Sequence, residues 1–185
     1  MKLESLLTIE SGTLVSRLTS DPTGATYYLY DQAALGEDQG KYMETATMHK
    51  PIQLSDISKV QSIKQGDIVI NLANTESAIV SEQHDGFILP YNYCKLTGFS
   101  DIDPDFLNYW LTESVEAAQQ LKAISQGATL VKKLSVHQIK EFTITLPPLE
   151  KQQRIAKVYK ASIRLKYLQK QKSELLSLLL KQVLD

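Results

Sequence analysis

The chain predicts an α+β fold: a compact mixed domain over residues 1–148, followed by a long C-terminal helix of coiled-coil type over 149–185. Three observations predict it. Gly66-Asp67 is a turn that leads directly into the β-branched run Ile68-Val69-Ile70-Asn71-Leu72. Apolar residues after Asp103-Pro104 recur at helical spacing. From Leu149 to Leu184 there is neither glycine nor proline, and 36 residues of helix run to about 54 Å, longer than a small domain is wide.

Taken in order, Tyr27-Tyr28-Leu29-Tyr30 is an aromatic-rich strand followed by a polar, glycine-containing stretch through Gly40. Leu54-Ser55-Asp56-Ile57 is expected to open a short helix. After the Ile68–Leu72 strand, further strands are expected at Ala78-Ile79-Val80 and around Gly86-Phe87-Ile88-Leu89-Pro90. Asp103 is positioned to cap free amides and Pro104 suits the first helical position. The apolar face Phe106, Leu107, Trp110, Leu111, Val115 and Ala118 then extends one helix toward Ile124, where Gly127 stops it. Phe106 and Trp110 are core residues on this reading. Ser135, with Gln138 three residues on, is a capping box for a short helix. Phe142-Thr143-Ile144-Thr145-Leu146 alternates like a strand and ends at Pro147-Pro148, the one sharp boundary.

Composition narrows the function. Hydrophobic residues make up 43% of the chain, enough for a core without a staple, and Cys94 alone excludes an intrachain disulfide and a cysteine-rich zinc site. There is no signal-peptide pattern and no apolar run near membrane length, so a cytoplasmic location is expected. The net charge of −1 conceals a dipole: residues 1–118 carry 7 basic and 17 acidic side chains, and residues 119–185 carry 13 and 4. A phosphate backbone responds to the local field, which the average hides. Lysine on a long solvated helix explains the same asymmetry equally well.

Chemistry-bearing motifs are missing. His49, His84 and His137 are far apart in sequence and show no metal-ligand spacing, although a fold can still bring such residues together. No phosphate-binding or dinucleotide loop and no GxSxG elbow occurs. Asp101, Asp103 and Asp105 alternate as in a calcium loop but lack the glycine and closing glutamate. No catalytic residue, metal site or cofactor is assigned, and the chain is expected not to be an enzyme on its own.

The order of three stretches resembles a known family. The clearest is Ser125-Gln126-Gly127-Ala128-Thr129, then Leu134 and Ile139, then Ile144-Thr145-Leu146-Pro147-Pro148-Leu149-Glu150-Lys151-Gln152 with Ile155. The second is Gly66-Asp67-Ile68-Val69-Ile70, and the third, weaker one is the early strand and glycine-containing hairpin of Tyr28 to Lys41. Together they resemble the specificity subunit of type I restriction-modification systems. The resemblance implies a target-recognition domain at 1–148 and a spacer and association arm at 149–185. It further implies double-stranded DNA as ligand, with a methylation subunit and, indirectly, a restriction subunit as partners that carry the chemistry. The family pattern has two recognition domains and two such helices. This sequence has room for one of each and is expected to act as a half-subunit, paired with a second copy or another half.

A recognition domain needs cations or amides for phosphates and planar donor–acceptor groups for base edges. The candidates are Gln126, Thr129, Lys132 and Lys133 on one turn, Asn71, Asn74 and Thr75 after the buried strand, and Asn92 and Tyr93 leaving another. Lys132 and Lys133 are read as phosphate contacts, with a solvated lysine pair as the equal alternative. On the arm, Ile155, Val158, Ser162, Leu165, Gln169, Lys172, Leu176, Leu179 and Val183 follow alternating spacings of three and four. Leu165, Leu168, Leu176 and Leu179 are expected to bury against a partner helix, with Ile155 and Val158 near the domain junction. A scaffold protein with the same fold and no DNA preference is one competing reading, and a small enzyme with a divergent site is the other.

Overall fold

The computed structural model describes residues 1–40, 48–126 and 133–184. Its centre is a four-stranded antiparallel sheet in the order β1 (Thr8–Ser11), β6 (Tyr93–Thr97), β4 (Ile68–Asn71), β5 (Ser77–Ile79). β4 is buried along its whole length, as its β-branched run requires. Ile68 and Ile70 face the larger core with Cys94 and Leu96, while Val69 faces a second core with Ala78, Val80 and Tyr93. Period-two alternation thus feeds both sides of one strand. β2 (Ala25–Tyr28) and β3 (Pro51–Leu54) form a separate ribbon, joined to the body through Leu29, Leu54 and Ile88.

Five helices complete the described chain. α1 (Gln32–Asp38) follows β2 and is capped by Asp31, whose carboxylate accepts the Ala34 N–H at 2.9 Å. α2 (Pro104–Glu113) starts as expected, with Asp103 accepting the Phe106 N–H at 2.9 Å and Pro104 in its first turn. α3 (Val115–Gln126), α4 (Val136–Lys140) and α5 (Leu149–Leu184) follow. Ser135 and Gln138 form the capping box of α4. Phe106 and Trp110 lie in the larger core.

Several expectations are corrected. Leu54 does not open a helix; it ends β3, its side chain buried in the small ribbon core. Residues 86–90 form isolated bridges, from Ile88 to Leu29 and Ser62 and from Pro90 to Thr13, not a strand. Phe142–Leu146 likewise makes one bridge, Lys2 to Thr143, although Phe142 and Ile144 alternate into the core as the pattern required. The stretch after Tyr28 is the helix α1, not a hairpin, because Asp31 caps it. The single helix expected from Asp103 to Ile124 is two. Ser114 is extended (ψ 141°) and its hydroxyl accepts the Ala117 N–H at 3.0 Å, which starts a new helix where a continuous one was expected.

The arm leaves the domain at a defined angle. Tyr159 packs edge-on against Tyr109 at 5.5 Å between ring centroids and meets the Thr112 hydroxyl at 2.8 Å. About two turns earlier, Gln152 is buried against the loop before α2. Beyond Tyr167 the described helix carries side chains that are largely exposed.

Candidate nucleic-acid interface

Two of the loop groups named from the sequence meet at one end of the sheet, with Lys133 of the third beside them. The β4–β5 turn is closed by the Thr75 N–H donating to Asn71 O at 2.8 Å and the Asn71 N–H donating to Glu76 O at 2.8 Å. The Leu72 N–H donates to Asn92 O at 2.9 Å, and the Leu134 N–H donates to Leu72 O at 2.8 Å. One backbone unit, Leu72, therefore holds together the turn of 71–76, the start of β6 and the segment leading into α4. Lys133 projects beside this junction with its ammonium 5.6 Å from the centroid of the half-exposed Tyr91 ring.

The turn is rigid by its own side chains. Thr75 sits at φ +63°, a left-handed conformation costly for a β-branched residue. Asn71 Oδ1 accepts the Ala73 N–H at 2.9 Å and Asn74 Oδ1 accepts the Glu76 N–H at 3.0 Å, as short polar side chains do in tight turns. Thr75 donates its hydroxyl to Asn74 O at 2.6 Å. An amide relay then runs across to α1. Asn71 Nδ2 donates to Gln32 Oε1 at 3.0 Å, and Gln32 and Asn74 each donate to Glu76 Oε2 at 2.7 Å.

The candidates divide accordingly. Asn74 is exposed, Thr75 and Asn92 are half-buried, and Lys133 is exposed, so these four line the surface at the sheet end. Asn71 and Tyr93, named as groove-facing groups, are only 6% and 2% exposed. Their polar atoms are occupied inside: burial and nearby Asp31 push the Tyr93 phenol up to about 12, with a hydrogen bond to Asn71 opposing. They support the turn from beneath. Tyr93 begins β6 and Asn92 lies in the turn before it, rather than the pair leaving a strand. Gln126 ends α3, and its side chain, like Thr129 and Lys132, lies outside the described residues. Reading the sequence missed Tyr91 and Gln32. Tyr91 carried a usable signal, an aromatic residue in a turn just after Pro90. Gln32 carried none, since only the fold places α1 beside the turn.

On the arm, Ile155 packs against the domain's own core, and Val158, 71% exposed, lines a groove with Tyr109 and Glu113 of α2 near the junction. Leu165, Leu168, Leu176 and Leu179 are 45–57% exposed, as are Leu175, Leu178 and Leu180 at 56–64%. The Val183 side chain lies outside the described residues. The basic half of the charge dipole resides largely on this helix: α5 contains nine lysines and arginines against two glutamates. Lys160 reaches Asp105 at 2.6 Å and Lys166 reaches Glu113 at 3.9 Å, so part of that charge faces α2. No helix among the described residues is long and apolar enough to cross a membrane.

Comparison with solved structures places the architecture. The crystal structure of the HsdS subunit from Thermoanaerobacter tengcongensis is similar with a TM-score of 0.66 at 20% identity, over 94% of this chain and 44% of that one. A chain from the structure titled for complex assembly and conformational transition of the type I R-M system gives 0.67 at 19% identity, over 94% and 44%. The type I restriction-modification S subunit from M. genitalium gives 0.52 at 14%, over 87% and 37%. The present chain thus spans less than half the length of these solved chains, and the likeness is one of fold. No curated protein matches the sequence. The family model described as the type I restriction modification DNA specificity domain matches residues 2–177, nearly the whole chain. With that match running through the mixed domain and most of α5, the chain belongs to the type I restriction-modification DNA specificity family.

Proposed function

We propose that this chain reads one half of a split double-stranded DNA target for a type I restriction-modification complex, without catalysing either reaction itself. The observation that carries the reading is the meeting of the β4–β5 turn, the start of β6 and the Lys133 segment at one end of the sheet. A rigid turn presents Asn74 and Thr75, and a cation stands beside it at Lys133. This is the division of labour a DNA reader needs: amides for base edges, ammonium groups for phosphates.

The arm supplies the second half. Seven exposed leucines between Leu165 and Leu180 form a face that a lone helix leaves in water. That face pairs with the arm of a second copy or of another half-subunit, and the pair docks the methylation subunit and, through it, the restriction subunit. The assembly acts in the cytoplasm. A two-fold pair reads two equal half-sites, so the target of a self-paired assembly is interrupted and palindromic.

Two observations favour a scaffold that binds partners but reads no sequence. Residues 1–118 are strongly acidic, and the Asn74 amide is held by Glu76. Hydroxyl-radical footprinting of the assembled complex on its own genomic DNA separates the two. Recognition gives two short protected tracts with an unprotected gap at defined sites, and a scaffold gives no defined tract.

A further inference from the structure

Away from the sheet end, the fold gathers Glu37 of α1, His49 just before β3, and His84 in a 3-10 turn at Glu82–His84. One donor atom from each lies within 4.8 Å of the others. His84 Nε2 is 3.0 Å from Glu37 Oε2, and His49 Nε2 is 3.4 Å from the same oxygen. Four-coordinate zinc with bonds of 2.0–2.1 Å has donor–donor edges of about 3.3 Å, so both separations are close to what one ion would span.

The surroundings fit a metal site as well as the three donors do. His84 is 1% exposed, and its other ring nitrogen, Nδ1, lies 2.8 Å from Oδ1 of the fully buried Asp38. A carboxylate behind a ligating imidazole fixes the ring and its tautomer. His49 repeats the arrangement less tightly, with Nδ1 3.6 Å from Asp31 Oδ1, and that buried nitrogen has no hydrogen-bond partner among the described residues. Phe87 packs edge-on against both rings, at 5.2 Å from His49 and 5.0 Å from His84. On the exposed side the Gln83 side-chain nitrogen stands 3.1 Å from Glu37 Oε2 and 3.3 Å from His84 Nε2. Turned over, that amide presents a carbonyl oxygen to the open position; a water does the same.

We propose that Glu37, His49 and His84 bind a divalent transition-metal ion of the zinc type, which staples α1 to the turn at 82–84 and to the segment entering β3. Two imidazoles and a carboxylate are a zinc ligand set, and a fourth position held by water or an amide completes a tetrahedron. Asp31, Glu37 and Asp38 place three carboxylates around two imidazoles, an excess of negative charge that a dication offsets. The ion is structural here. It holds together three positions separated by 12 and 35 residues, and through α1 it steadies Gln32 beside the β4–β5 turn.

The test is a titration of the full chain, stripped with chelator, by zinc chloride in a calorimeter and by cobalt chloride in visible absorption. One zinc ion per chain, tetrahedral cobalt bands and a higher melting temperature with zinc are expected. His49→Ala and Glu37→Gln, chosen because these positions are less buried than His84, are expected to weaken binding about tenfold or more while keeping the far-UV spectrum. His137→Ala, on the exposed face of α4, is expected to bind as the parent does. A parent chain that takes up neither ion overturns the proposal whatever the variants do, and so does uptake unchanged in folded His49→Ala protein.

Discussion

Gln152 accepts the backbone N–H of Asp103 at 2.9 Å, while the Asp103 carboxylate caps α2 through the Phe106 N–H at 2.9 Å. The same Gln152 side chain donates to Asp101 O at 3.2 Å and Pro147 O at 2.9 Å. One buried amide, 1% exposed, thus satisfies three backbone groups from two segments and sets the direction in which the arm leaves the domain. Asp101 is one of two non-glycine residues at positive φ among those described, so the loop that Gln152 grips is itself strained.

Replacing Gln152 by alanine strands those backbone groups in a dry junction. Gln152→Ala is expected to lower unfolding free energy by about 1–3 kcal/mol, the usual cost of leaving a buried polar group unpaired. Chemical denaturation measures the loss. Hydrogen exchange should quicken at residues 149–153 first, because the arm's first turn is what the amide anchors.

Glu116 links α3 to the segment before the arm and gives a pH-dependent prediction. Burial pushes its carboxyl up, but hydrogen bonds from the Trp110 indole and from the Thr145 amide and hydroxyl outweigh that and hold it below its ordinary value of 4.5. A depressed folded value contributes stability that is present above pH 4.5 and lost as pH falls through the folded value. Glu116→Gln should therefore remove part of the acid-side loss seen in the parent chain. Thermal melts followed by Trp110 fluorescence at a series of acidic pH values make the comparison.

Much of this architecture was legible because it depends on local chemistry. Asp103-Pro104 fixed the start of α2, the Ser135–Gln138 pair fixed α4, and an uninterrupted run fixed α5; each is settled within a few residues. The failures were tertiary or rested on two overlooked caps. Ser114 breaks a helix whose apolar spacing continues across it, and Asp31 starts a helix in a segment read as polar loop. For the candidate interface, residue type pointed to the right loops but not to depth. Asn71 and Asn74 are the same residue type three positions apart, yet Asn71 ends the buried strand β4 and Asn74 lies exposed in the turn after it. The cluster of His49 and His84 was illegible because only folding brings together two residues 35 positions apart.

Lys133 and Asn74 are expected to fail in different ways within the assembled complex. Lys133→Gln should weaken binding to all sequences alike and reduce the slope of log affinity against log salt by about 1, as loss of one phosphate contact does. Asn74→Ala should instead relax discrimination at one base position, by about 1–3 kcal/mol, if its amide leaves Glu76 for a base edge. Salt titrations and competition with single-base variants of the target distinguish them.

The arm's leucines should matter for assembly alone. Leu176 and Leu179 are 50% and 57% exposed, so Leu176→Asp and Leu179→Asp should leave the domain's stability within about 0.5 kcal/mol of the parent. Each should weaken pairing of the arms by about 10–100-fold, the worth of one leucine withdrawn from water. Sedimentation equilibrium reads association and far-UV melting reads stability on the same samples.

The central claim is that this chain reads sequence. Selection from a randomised duplex pool tests it most directly, using the chain copurified with the methylation subunit it captures, at near-physiological salt. The account predicts recovery of a split, two-part motif, with equal halves if the arm pairs with its own copy and unequal halves if it pairs with another. A stable complex that enriches no motif would contradict it and leave the scaffold reading in its place.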